Sequence, residues 1–194
     1  PFFTANKSNK NRAKTAFGIA SQNDFDENIT EEALFNYAKL CFELDYSPFN
    51  ESINSLKKFI NNYPNSVHID KAYDYLLQAV LVTKNYQEAL KVIEDIPDKT
   101  PEINKAYQRL AYFRALEFFS DLKYQKAIDY FNKSLEGKQY DKTYRALAYY
   151  WKADAHFRLK NYDKAIDIYE TFLTTRGVIG LDEYGKAHYN LAYA

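Results

Sequence analysis

The sequence predicts an all-α protein, an α-solenoid of antiparallel helix pairs. Three observations point there. First, residues 161–173 place Tyr162, Ala165, Ile166, Tyr169, Phe172 and Leu173 at the spacing of a single helix face. Second, the pattern recurs upstream as Tyr124, Ala127, Ile128, Phe131 and Leu135, as Tyr86, Ala89, Leu90, Ile93 and Ile96, and as Phe49, Ser52, Ile53, Leu56, Phe59 and Ile60. The copies begin at 49, 86, 124 and 162, steps of 37, 38 and 38 residues. A fixed period of this size marks a repeat array, whose core forms between neighbouring repeats rather than in one centre. Third, the chain holds 19 Tyr and 14 Phe but only five Gly and five Pro, a mix suited to packed helices joined by short turns.

The elements follow in order. Residues 1–8 read as the tail of a truncated helix, and 10–22 as the second helix of a partial repeat. Thr30 is the expected N-cap of a helix reaching Leu44, with Glu31 and Glu32 suited to its positive start. Ser47-Pro48 opens the next helix, from Phe49 to about Asn62, which stops at Tyr63-Pro64. A helix over about 67–83 follows, then one capped by Asn85, with Glu88 three residues on, that ends before Pro97. Thr100-Pro101-Glu102 opens a long helix over about 101–121, and its partner over 124–136 ends at Gly137. The last full pair is expected at 141–159 and 162–175, stopped by Gly177, with a loop over 176–181 and a final helix over 182–194. The repeats so defined are 1–26 (partial), 27–64, 65–99, 100–138, 139–177 and 178–194 (partial). Short connections make consecutive helices antiparallel.

Composition narrows the function. With 26 basic and 26 acidic residues, net charge is zero and gives no global case for nucleic acid or an anionic membrane. Cys41 is the only cysteine, which excludes an internal disulfide and a Cys-rich metal site. It lies three residues after Ala38 and is expected to pack as a small hydrophobe. No apolar run reaches the roughly 18 residues of a membrane span. The pattern is already under way at Pro1, which suggests an excerpt or processed product.

The words Asn85-Tyr-Gln-Glu-Ala-Leu90, Lys123-Tyr-Gln-Lys-Ala-Ile128 and Asn161-Tyr-Asp-Lys-Ala-Ile166 resemble the start of helix B in the tetratricopeptide repeat, whose usual unit is about 34 residues. Ala38, Ala115, Ala153 and Ala192 fall at that family's small position in helix A, while Leu77 departs from it. The resemblance implies a right-handed superhelix with the first helices lining a concave groove. Phe59-Ile-Asn-Asn-Tyr-Pro-Asn-Ser66 is similar to repeat endings in bacterial envelope proteins of this kind, such as the outer-membrane barrel-assembly lipoprotein and the Tol–Pal coordinator. That likeness favours a periplasmic or cell-envelope location, with the cytoplasm as the alternative.

No catalytic set emerges. His68, His156 and His188 lack metal-ligand spacing and are expected to be helix residues with satisfied rings. The glycines form no phosphate-binding motif, so no cofactor is expected. What remains is a surface. Carried over from the family, one groove row reads Phe35, Asp74, Tyr112, Tyr150 and Tyr189. A second reads Lys39, Gln78, Leu116, Asp154 and Tyr193, and a third Phe42, Leu81, Phe119 and Phe157. The plainer reading is that these aromatics only pack between repeats. The Lys, Asn and Arg set used by chaperone-tail clamps is missing, since the matching places hold Phe35, Lys39 and Asp74, which argues against carboxylate capture. The expectation is a non-catalytic scaffold holding a protein or peptide segment, with a structural, self-associating role in a larger envelope protein as the alternative.

Overall fold

In the computed structural model, residues 2–23, 26–44, 51–82, 85–96, 99–136 and 141–194 are described, and among them there are helices and no strands. The helices are α1 (Phe2–Ala20), α2 (Glu27–Leu44), α3 (Glu51–Asn62), α4 (Ile69–Val82), α5 (Tyr86–Glu94), α6 (Pro101–Ser120), α7 (Tyr124–Leu135), α8 (Lys142–Arg158), α9 (Tyr162–Thr174) and α10 (Glu183–Tyr193). They divide into two compact units, Pro1–Lys84 and Asn85–Ala194. The boundary falls inside the second expected repeat, so α4 and α5 belong to different units.

In the first unit α2 packs against α1, α3 and α4. Ala38 and Cys41 on α2 are fully buried, as are Leu56 and Phe59 on α3. Burial pushes the Cys41 thiol up in pKa, so it behaves as a small hydrophobe. Two details differ from expectation. The helix over residues 2–20 does not break near Asn9. It runs on to Ala20, since neither Gly nor Pro interrupts 2–17. The cap of α2 is Asp26, not Thr30. The Asp26 carboxylate accepts from the N–H groups of Asn28 and Ile29 at 2.8 and 3.2 Å, while the Thr30 hydroxyl donates back to the carbonyls of Asn23 and Asp26. The expected Ser47-Pro48 start and the stops at Pro97 and Gly137 lie outside the described residues.

The second unit repeats one design. Thr100 caps α6 through the Ile103 N–H, with Pro101 at the first helical position, and Asn85 caps α5 through the Glu88 N–H. The α6–α7 and α8–α9 turns are the same motif. Leu122 and Lys160 take positive φ, 62° and 60°. The next N–H in each turn, from Lys123 and Asn161, reaches back to the carbonyls of Phe118 and His156 at 2.9 Å. Each turn lets the paired helices cross at small residues. Ala115 and Ala153 on the first helices, and Ala127 and Ala165 on the second, are all at 0% exposure. Tyr112 and Phe131 fill one core between pairs; Tyr150, Tyr169 and Phe172 fill the next. Gly177, at φ 92°, turns the chain so that Val178 plugs this second core at 1% exposure. The expected loop over 176–181 is thus partly core.

The packing also sets curvature within this unit. The first helices α6, α8 and α10 touch in succession, whereas among the described residues the backbones of α7 and α9 do not meet. One side of the stack is closed, and the other is splayed.

Candidate functional site

On the closed side, α8 and α10 form a cleft of about 410 Å³ lined by Tyr150, Trp151, Asp154, Arg158, Lys186, Tyr189 and Asn190 with Gly185. Residues 150, 154 and 158 recur at one turn and so share a stripe of α8. Tyr189 and Asn190 answer from α10.

A polar chain ties the cleft wall to the core. The Asn190 amide donates to the Tyr169 hydroxyl at 2.9 Å, and that hydroxyl lies 3.5 Å from the Asp154 carboxylate. Arg158 Nε stands 3.6 Å from the same carboxylate. Burial raises the Asp154 pKa, against the opposing pull of Arg158. Burial, with Asp154 beside it, pushes Tyr150 up to about 12. The cleft thus offers hydroxyl, amide and guanidinium groups beside aromatic faces: means of docking, with no activated nucleophile.

Three expected groove residues, Tyr150, Asp154 and Tyr189, come together in this cleft. They differ in exposure. Tyr150 and Asp154 are buried, while Tyr189 is 64% exposed and lies against Tyr193, ring centres 4.8 Å apart. Tyr112 is also buried, packed on Phe131 and Tyr144. Leu116, Phe119 and Phe157 are half-buried. Phe119 meets Trp151 edge-on at 5.1 Å, and Phe157 meets Tyr162 at 5.5 Å.

In the first unit, Phe35 is buried, stacked on His68 at 4.3 Å and packed on Phe59. Phe42, half-buried, lies 5.2 Å from the Tyr75 ring. Lys39 faces Glu43 at 3.9 Å, Leu81 is half-buried, and Asp74 and Gln78 are exposed. Phe35, Tyr112 and Tyr150 therefore pack between helices, whatever edge they also offer outward.

Reasoning from sequence missed Trp151, Arg158, Lys186 and Asn190. Trp151 carried a signal, as the one Trp in a chain of many Tyr. The other three became visible only once α10 was set against α8.

The histidines correct a second expectation. His68 does find a partner in Glu32 at 2.6 Å. The His156 ring is not satisfied: its Nδ1 is buried without a hydrogen-bond partner.

Residues 32–66 and 147–175 match the family model of the tetratricopeptide repeat. Both matched segments are similar to tetratricopeptide repeats, and together they span less than half of the chain. The first matched segment runs from α2 through α3 to the Ser66 turn, where the Ser66 hydroxyl donates to Glu31. The second covers most of α8 and all of α9, and so includes the α8 side of the cleft. No curated protein matches the sequence. Tetratricopeptide repeats generally mediate protein–protein contacts and are typically non-catalytic. No described helix is long and apolar enough to cross a membrane.

Proposed function

We propose that the chain is a non-catalytic interaction scaffold that docks a protein or peptide segment along the first-helix side of its repeats. The observation that carries this reading is the α8–α10 cleft. A single opening of about 410 Å³ gathers Tyr150, Asp154 and Tyr189 with Trp151, Arg158 and Asn190. Aromatic side chains are efficient anchors because they bury much area at little entropic cost. Arg158 and Lys186 add donors at the rim, and the polar chain from Asn190 to Asp154 holds the wall in one geometry. Leu116, Phe119 and Phe157 continue the surface in the same unit. Phe42, Leu81 and Gln78 are the corresponding candidates in the other.

The proposed repeats are those set by the period, 27–64, 65–99, 100–138 and 139–177, with partial ones at 1–26 and 178–194. A bacterial cell-envelope location is proposed on the Phe59–Ser66 wording alone.

The test is a peptide-display selection on the wild-type chain, with binders rescreened on Tyr189→Ala and Arg158→Glu. Binders lost on both variants support the cleft. Binders indifferent to both, or no enrichment at all, count against it.

A further inference from the structure

The docking cleft between α8 and α10 carries a charge that its own residues do not cancel. Among its lining residues Asp154 is acidic, while Arg158 and Lys186 are basic, which leaves one excess positive charge. Two other clefts in the same unit are balanced. The opening of about 400 Å³ between α7 and α9 sets Lys152 and Lys164 against Asp129 and Asp167. One of about 330 Å³, between α6 and α7 near the end of α5, sets Lys99 and Lys133 against Glu94 and Glu136.

The excess sits on Lys186. It is exposed and, among the described residues, forms no ion pair. Glu183, one turn earlier on α10, sends its charge towards Tyr112 and Tyr150. Arg158 is only loosely engaged. Its Nε stands 3.6 Å from Asp154, and its terminal nitrogens meet no acceptor among the described residues. Asp154 thus orients the guanidinium without saturating it. Apolar surface adjoins both cations. Lys186 and Tyr189 are three residues apart and share a face of α10, the Tyr189 ring is largely exposed, and Trp151 lines the same cleft from α8.

We propose that the segment docked in this cleft carries an acidic side chain within two residues of an aromatic or branched aliphatic one. The carboxylate pairs with Lys186 and with the free edge of Arg158, and its apolar neighbour lies against Tyr189 and Trp151. A singly charged carboxylate matches the excess. The second charge of a phosphate finds no further cation and lies close to Asp154. A basic segment is repelled by both cations at the rim. The spacing agrees, since three residues of helix rise about 4.5 Å, a distance that adjacent or alternate residues of an extended segment span. This inference rests on the docking reading and names the chemistry of the partner.

The experiment selects peptides from a displayed random library on the full chain, keeps those lost on Tyr189→Ala, and measures them as synthetic peptides by fluorescence anisotropy at low and high salt. The kept sequences are expected to place Asp or Glu beside Phe, Tyr, Trp, Leu or Ile. Replacing that acid by its amide weakens binding about threefold to tenfold, and affinity falls as salt rises. Lys186→Glu on the chain weakens binding to a similar extent, and a peptide with Lys in place of the acid recovers the loss on that variant. Lys186 is exposed, so its replacement leaves the fold intact. Tyr189-dependent peptides that carry no acid, or that ignore Lys186→Glu, overturn this inference and leave docking in the cleft standing. Binding that disappears when only the peptide's C-terminus is amidated assigns the charge to a terminal carboxylate and overturns it as well. A library that yields no Tyr189-dependent peptide overturns the docking reading and this inference together.

Discussion

Gln108 on α6 hydrogen-bonds both ways with the backbone of Asp141, its Nε2 donating to the Asp141 carbonyl at 3.1 Å and its Oε1 accepting the Asp141 N–H at 2.7 Å. Gln108 is 2% exposed, and its own carbonyl accepts from the buried Ser134 hydroxyl at 2.9 Å. Asp141 in turn caps α8 through the N–H groups of Thr143 and Tyr144. One side chain thus fixes where α8 begins relative to α6 and α7, and so where α8 presents its two clefts.

Gln108→Ala is therefore expected to destabilise by about 1–3 kcal/mol, because it strands two half-buried backbone groups. Gln108→Leu, which keeps the volume, recovers only part of that loss. Urea denaturation monitored by circular dichroism measures both.

Asp154 makes stability depend on pH. Its pKa is raised in the folded state, so over the window above the ordinary carboxylate value of 3.8 the native state holds more protons than the unfolded chain. Stability then falls as pH rises through that window, with the full loss present once the folded group has ionised. Asp154→Asn removes the effect and retains an acceptor for the Tyr169 hydroxyl. The variant is expected to gain on wild type as pH rises above 3.8, and the two to converge below it. Denaturation curves over a pH series check the sign.

The turns at Leu122 and Lys160 hold left-handed backbone without glycine. Leu122 is 71% exposed, so its side chain contributes little packing to offset the strain. Leu122→Gly is expected to stabilise by up to about 1 kcal/mol, the relief of strain exceeding the added entropy of the unfolded chain. Thermal melting of the single variant is sufficient.

The helix crossings are the least forgiving places. Ala127 and Ala165 are completely buried where second helices meet first helices. Leucine at either site is expected to overpack by about 1–3 kcal/mol. The same change at Ala192, which is exposed, should cost almost nothing. Parallel melts of the three variants give the contrast.

These residues also show which parts of the molecule were legible in the sequence. Ala127, Ala165 and their apolar companions recur at helical spacing and a fixed period, so helix pairing could be read directly. Caps such as Asn85 and Thr100 announced themselves by residue type. The Leu122 and Lys160 turns did not, because no glycine marks them. Gln108 and Asp141 are 33 positions apart, and nothing local links them. The groove rows put Tyr150 and Asp154 on one stripe of α8, yet periodicity does not distinguish a wall packed inward, such as Tyr150, from a tip left outside, such as Tyr189. His156 read as an ordinary helix residue, since its solitude depends on α7 and α9 standing apart.

The central claim, that a protein segment docks on the first-helix side, is tested most directly by hydrogen–deuterium exchange of the chain with and without a selected peptide. The account predicts slowed exchange in residues 150–158 of α8 and 185–190 of α10, with α7 and α9 unchanged. Protection confined to α7 and α9, or no protection with a peptide demonstrably bound, would contradict it.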